Sequence, residues 1–240
     1  MLSSFKNRSQ QLERLDTGDY TPAEYTKWQQ EMLLINRFLG DTRALRLGLR
    51  DELDGISNGT VSILDVGAGS GELLYAAGQA VNGGASLLVG AELNAAAASS
   101  IAARRSEIGV IAVQCNGLHL PFADDSFDFA ISSLFLHHLS DDQAVIFIKE
   151  MSRVAKRKFL IIDLHRHAAA YYLYKIFGRL ALQRFTIEDG SLSIKRSFRP
   201  GELRDLAAKA GIAEPVVVRR TAFRLVLSES KRDKATLRDP

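Results

Sequence analysis

The stretch ILDVGAGSGEL, residues 63–73, places three glycines at alternate positions, Gly67, Gly69 and Gly71, behind an acidic residue, Asp65. An aliphatic run precedes it and the helix-forming ELLYAAGQA follows, so the pattern is strand, tight turn, helix. In a doubly wound sheet the first such turn makes the closest approach to a ligand. Glycines there let the backbone come near the ligand in conformations closed to other residues. A dinucleotide fingerprint, G-x-G-x-x-G, would need glycine at 72, where the chain has Glu72. A P-loop is excluded because no G-K-S/T follows the glycines.

A pyrophosphate is held by amide donors and the positive end of a helix, with no carboxylate in the way. Asp65 before the turn and Glu72 after it suit a zwitterionic, sulfonium-bearing ligand better. Further along, the second strand ends at Glu92, 21 residues after Gly71, where a carboxylate can accept from both ribose hydroxyls. The third strand ends at Cys115-Asn116-Gly117-Leu118, and the Asn116 amide can read an adenine edge as donor and acceptor together. Each piece has a bland alternative: the glycines as a plain turn, Glu92 as an exposed strand end, Asn116 as a turn former before Gly117. Their order and spacing together favour the ligand site.

Outward from the turn, the runs VSILDV, ASLLVGAE, VIAVQC, FDFAISSLF and KFLIIDL alternate with helical stretches, and EPVVVRR and FRLVLSES close the chain. Near-continuous apolar strands separated by helices predict an α/β fold: a doubly wound, Rossmann-like, seven-stranded, mostly parallel sheet. The last two strands leave no room for a crossover helix, so the final strand is expected to be antiparallel. Residues 1–58 read as a helical N-terminal extension, with Thr21-Pro22-Ala23-Glu24 as a helix start.

The 240 residues are 46% hydrophobic and 25% charged, with no run approaching the roughly 20 apolar residues of a spanning helix. The first residues lack a secretory apolar core, and the single cysteine, Cys115, excludes an intrachain disulfide framework and a cysteine zinc cluster. A cytoplasmic setting and no metal ligands are the expectation, and nothing fixes an oligomeric state. The net +3 conceals an asymmetry: residues 151–240 hold 20 Lys/Arg against 9 Asp/Glu, or +11, and residues 1–150 hold 11 against 19, or −8. Such a basic region reads as RNA-binding, as contact with an anionic membrane surface or acidic substrate, or as a solvated face.

With these motifs in order the chain resembles the class I S-adenosylmethionine-dependent methyltransferases, specifically the small-molecule branch that includes quinone-ring methyltransferases. LDVGAGSGEL, GAELN, NGLHLPFADDSFD and AISSLFLHHL carry the likeness, close over about residues 60–165. The resemblance implies S-adenosyl-L-methionine as cofactor in a domain spanning 59–230, with 231–240 a flexible basic tail. It implies Asp65, Gly67, Ala68, Gly69 and Gly71 at the methionine portion, Glu92 and Leu93 at the ribose, Asn116, Gly117 and Leu118 at the adenine, and Ser133 beside the donor. The adenine position is more often Asp in the family; Asn116 keeps the acceptor and loses the charge.

Methyl transfer from a sulfonium is an in-line displacement that needs a base only when the acceptor must lose a proton. Four of the five histidines follow the fourth and fifth strands, and His165 and His137 are the candidate bases; His138 reads as a packed or capping residue, and Asp163 as an orienter of histidine or a binder of backbone amides. Cys115 reads as packing. HAAAYYLYKIFGRLALQRF predicts a helix over about 167–186 with a basic stripe, Lys175, Arg179 and Gln183; it is either packed on the sheet or a lid over a hydrophobic or aromatic acceptor, touching a membrane surface. Tyr171, Tyr172 and, from the extension, Trp28 are candidate acceptor contacts, with Asn36 and Arg37 near the donor. The reading is methylation of a phenolic, quinone-like or polyketide small molecule. Methylation of RNA or protein is the alternative, disfavoured by ISSLFLHH in place of an Asn-Pro-Pro-aromatic motif and by the lack of an RNA-binding module. A non-catalytic donor-binding domain is the third reading.

Overall fold

The computed structural model describes residues 5–38, 40–53, 61–81, 87–103 and 109–231, except the side chains of residues 33 and 36–38. The strands are β1 (Ser62–Val66), β2 (Leu87–Glu92), β3 (Val110–Gln114), β4 (Phe127–Ser133), β5 (Ala155–Leu164), β6 (Val216–Arg220) and β7 (Arg224–Ser230). They form one sheet in the order β3-β2-β1-β4-β5-β7-β6, with only β7 antiparallel to its neighbours. The chain winds outward in one direction from β1 and in the other from β4. That reversal is a switch point, where a crevice opens at the carboxyl ends of the strands.

The helices are α1 (Arg14–Thr17), α2 (Pro22–Phe38), α3 (Asp41–Leu53), α4 (Glu72–Ala80), α5 (Ala95–Ala103), α6 (Asp141–Val154), α7 (Ala168–Ala181), α8 (Arg184–Arg196) and α9 (Pro200–Lys209). Strand alternation sends side chains to two cores. Leu64, Ala130, Phe159, Ile161 and Leu227 join α6 and α9 on one face, through Phe147, Met151 and Leu203. Ile63, Phe129, Ile131, Leu160 and Ile162 join α3 and α4 on the other, through Leu45, Leu49 and Leu74. The N-terminal extension thus supplies part of one covering layer: a Cβ at Gly48 of α3 would lie 2.7 Å from Leu160.

Local signals place the helix starts. Thr21 Oγ1 accepts from the Glu24 N–H, and Glu24 accepts from the Thr21 N–H, the reciprocal box expected from the sequence. Ser140 and Gln143 do the same for α6. The predicted helix over 167–186 is corrected by the structure. It ends at Ala181, and Gln183, expected as the third residue of a basic stripe, precedes a separate helix, α8. The Gln183 N–H donates to Glu31 and its side-chain amide to the Glu24 carbonyl, which fixes the break against α2. Leu173, Ile176, Phe177 and Leu180 of α7 are exposed, so that helix is not packed all round against the sheet. Among the described residues no helix is long and apolar enough to cross a membrane.

Arg224 at the start of β7 is buried and binds both carboxylate oxygens of Asp41, at 2.6 and 3.1 Å, tying α3 to the sheet. Removing one member of such a pair leaves an uncompensated buried charge. Asp41→Ala is expected to cost about 3–5 kcal/mol in unfolding free energy by chemical denaturation; a loss below about 1 kcal/mol would show that the pair does not hold α3.

Candidate functional site

The glycine turn leaves β1 at the crevice. Gly67, Gly69 and Gly71 have φ of +75°, +53° and +78°, the left-handed region that disfavours any Cβ. At Gly67 a Cβ would also meet the Phe135 ring at 2.8 Å, whereas Gly69 faces open space. The Gly67 N–H donates to the Ala91 carbonyl at 2.9 Å, which moors the turn to β2. Glu92 reaches across from the end of β2, accepting from the Gly69 N–H at 3.0 Å and, with its other oxygen, from the Asn94 N–H at 3.1 Å. Turn and ribose-type carboxylate therefore share one locus. Asn116 Oδ1 accepts from the Leu118 N–H, closing the turn after β3, and Gly117 lets that turn sit on Val66. Ala68 is buried in the core behind the turn, and Leu93 is exposed beside Glu92.

Two polar atoms behind the turn are buried without partners, Asp65 Oδ1 and Ser133 Oγ. Burial, then the nearby Glu92 charge, raises the Asp65 carboxyl to about 8. A cationic ligand would relieve both effects, so these residues fit a sulfonium- and ammonium-bearing donor. Leu134, next to Ser133, holds φ +54° and donates to the Ile162 carbonyl, a strained non-glycine position at the edge of the site. Tyr25 of α2 senses Glu92: burial first, then Tyr20 and Glu92, raise its phenol. Tyr25 of the extension thus lies within electrostatic reach of Glu92. Trp28 stacks on Tyr25 at 5.7 Å, while the side chains of Asn36 and Arg37 lie outside the described residues.

The histidines separate by environment. His137 is buried, its Nδ1 lies 2.7 Å from Asp163 Oδ1, and its backbone N–H donates to Asp163 Oδ2. Asp163 thus does both things the sequence allowed, orienting a histidine and accepting from backbone amides, Leu164 included. Burial opposes its charge, but His137 and these hydrogen bonds hold its pKa below the ordinary value. His137 Nε2 faces Glu13 Oε1 at 3.9 Å, and Glu13, buried and unpartnered at that oxygen, is raised to about 7 by burial against the pull of His138 and Arg196. His138 pairs through Nδ1 with Asp16 at 3.1 Å. Glu13, His137 and His138 bring ligand-type atoms within 4.8 Å of one another, but the Arg196 guanidinium, 3.7 Å from Glu13, already supplies positive charge there.

His165 lies elsewhere, in a cavity of about 770 Å³ at the carboxyl end of β5, where its ring makes no hydrogen bond among the described residues. Tyr171 and Tyr172 do not line this cavity; both pack edge-on against Phe5, which does. Glu13, Asp16, Arg166 and Arg196 escaped the sequence reading, although the opposite charges of the two parts of the chain were their signal.

A seven-stranded sheet of this order, with a glycine turn after β1 and an acidic residue ending β2, defines the class I S-adenosylmethionine-dependent methyltransferase fold. Residues 63–158 match the family described as a methyltransferase domain; the fold is that of the S-adenosylmethionine-dependent methyltransferases, and S-adenosylmethionine is the cofactor of that class. No curated protein sequence matches the chain. Solved structures that resemble it include an S-adenosylmethionine-dependent methyltransferase from Aquifex aeolicus, at 18% identity and TM-score 0.57, covering 82% of this chain and 96% of that one. Magnesium protoporphyrin IX methyltransferase from Synechocystis, with bound SAH, aligns at 17% identity and TM-score 0.55 over 79% and 81%. The plantazolicin methyltransferase BpumL, solved with a monoazolic substrate analogue and SAH, aligns at 12% identity and TM-score 0.68 over 88% and 90%.

The turn geometry orders two substitutions. Gly67→Ala adds left-handed strain and a clash with Phe135, and is expected to cost at least about 2 kcal/mol; Gly69→Ala adds the strain alone, about 1 kcal/mol. Equal losses in chemical denaturation would mean that Phe135 does not press on the turn.

Proposed function

We propose that the protein transfers a methyl group from S-adenosylmethionine to a small organic acceptor bound at the carboxyl edge of β4 and β5. The observation that carries this reading is the buried, unpartnered Asp65 carboxyl behind a glycine turn that Glu92 bridges. The donor supplies an electrophilic methyl group on a sulfonium, taken in line by the acceptor. Asp65 and Ser133 offer unused polar atoms to its methionine end, Glu92 exchanges its backbone partners for ribose hydroxyls, and Asn116 with the Leu118 backbone meets the adenine. The aromatic and heterocyclic acceptors named for the Synechocystis and plantazolicin enzymes favour a small-molecule acceptor over a macromolecule.

His137 is the better-built base of the two candidates. Asp163 fixes its Nδ1, leaving Nε2, which faces Glu13 Oε1 at 3.9 Å, to take a proton. Both side chains are buried, so an acceptor reaches Nε2 only with the segment carrying Glu13 displaced. His165 is depressed to about 4, by burial first and then by His167 and neighbouring arginines, so it stays neutral at physiological pH and acts as a hydrogen-bond acceptor. His137→Ala is expected to lower kcat about 10²-fold or more with donor affinity retained, and His165→Ala to raise KM more than it lowers kcat. The reverse pattern would transfer the role of base to His165.

Calorimetric titration with S-adenosylmethionine tests the donor site directly, and absence of binding defeats the reading. The Asp65 carboxyl adds a pH dependence. With a free-protein pKa of about 8, it is largely protonated at pH 6, and a cationic ligand favours its charged form. Affinity should therefore rise from pH 6 to 8, by at most about tenfold per unit, with proton release on binding. Asp65→Asn should flatten that dependence; an unchanged slope would assign it to another group.

A further inference from the structure

The cavity at the carboxyl end of β5 has the size of a small-molecule site, about 770 Å³. Phe5, Pro200 and Phe223 give it apolar walls, five arginines give it charge, and among the described residues no carboxylate lines it. Two of the arginines are neutralised. Arg166 is taken up by Glu202 and by the carbonyls of Phe5, Lys6 and Ser197, and Arg224 by Asp41. The others are not: Arg199 donates to the Phe5 carbonyl, and the side chains of Arg219 and Arg220 have neither a hydrogen bond nor an ion pair among the described residues. The Nε of Arg220 is buried without a partner, a costly state for a charged donor.

Two helix starts add to the same potential. The cavity is lined by His167 and Ala168, where the 14-residue α7 begins, and by Arg199 and Pro200, where the 10-residue α9 begins. Both helices thus turn their positive ends toward it. His165 registers the result, since after burial the causes that lower it are His167, Arg219, Arg199 and Arg166. The short loop between β6 and β7 holds Ala222 and Phe223 at φ +53° and +55°, two consecutive non-glycine residues in the left-handed region. Strain of that kind persists where the surroundings enforce it, and here it seats Phe223 at the cavity wall beside Arg220.

We propose that this cavity binds the anionic group, carboxylate or phosphate, of a small organic molecule with an apolar body. Under the methyltransferase reading above, on which this last step rests, that molecule is the methyl acceptor. The donor turn occupies the β1, β2 and β4 ends of the edge and the cavity the β5, β6 and β7 ends, so the two ligands approach from opposite sides of the switch point.

Calorimetry on the full chain, with and without S-adenosylhomocysteine, tests the proposal using 2-naphthoate, 2-naphthyl phosphate and the neutral 2-naphthamide. At least one anion is expected to bind ten times or more tightly than the amide and to weaken with added salt. Arg219→Gln and Arg220→Gln should each reduce anion affinity about tenfold while leaving the thermal midpoint in place. Preference for the carboxylate or the phosphate ester decides between those two groups. Equal binding of amide and anions, no anion binding, or anion binding indifferent to both substitutions overturns the proposal. Titration with S-adenosylhomocysteine alone reports separately on the donor: selective anion binding without it would sink the methyltransferase reading and keep the anion site.

Discussion

The arrangement of this protein depends on buried arginines from the last third of the chain holding its first twenty residues across the carboxyl edge of the sheet. Arg166 donates to the carbonyls of Phe5 and Lys6, Arg199 to Phe5, and Arg196 pairs with Asp16 and approaches Glu13. Arg8 answers from the other side, reaching the carbonyls of His137, Leu139 and Arg196 and the carboxylate of Asp141. Asp189 receives the Arg14 and Leu15 N–H groups. A guanidinium removed from water must have its donors filled, and backbone carbonyls of an irregular segment need donors in turn. Each satisfies the other, so a segment with little secondary structure is held in one place.

That constraint accounts for part of the charge asymmetry. The acidic front and basic back of the chain are complementary parts of one structure, paired as Asp41 with Arg224 and Asp16 with Arg196. Of a basic third that reads as an RNA or membrane surface in the sequence, Arg166, Arg196 and Arg224 are buried, and Arg219 and Arg220 have no ion pair among the described residues. The same segment covers His137, placing Glu13 opposite its Nε2.

The donor half was legible because its signals are local. Gly67, Gly69 and Gly71 are required by backbone angles that follow from a tight turn after a buried strand, and Glu92 falls at the end of β2 by strand length alone. The doubly wound, mostly parallel sheet followed from alternating strands and helices, and the antiparallel β7 from a linker too short for a crossover. The acceptor half was less legible because its contacts are distant in sequence: His137 with Asp163, Glu13 with Arg196, and Phe5 with Tyr171. The break between α7 and α8 was missed for a related reason. No Gly or Pro marks it; the side-chain amide of Gln183 makes it by bonding α2, a partner about 150 residues away that a helical period cannot show.

The polarity of the edge gives the two halves a joint logic. Around β1 and β2 the groups are acidic, the buried Asp65 and the half-buried Glu92, and would welcome a cationic donor; around β5 and β7 the unneutralised groups are arginines and helix starts. Opposite fields on one crevice would sort two ligands of opposite charge without contact between them. The basic side also bears on the chemistry. A positive potential stabilises the deprotonated form of an acceptor hydroxyl and so lowers its pKa, which reduces what a base must do. A neutral His165 would then be sufficient to hold and orient such an acceptor, and the base proposed above, His137 backed by Asp163, lies deeper, under the arginine-tethered segment.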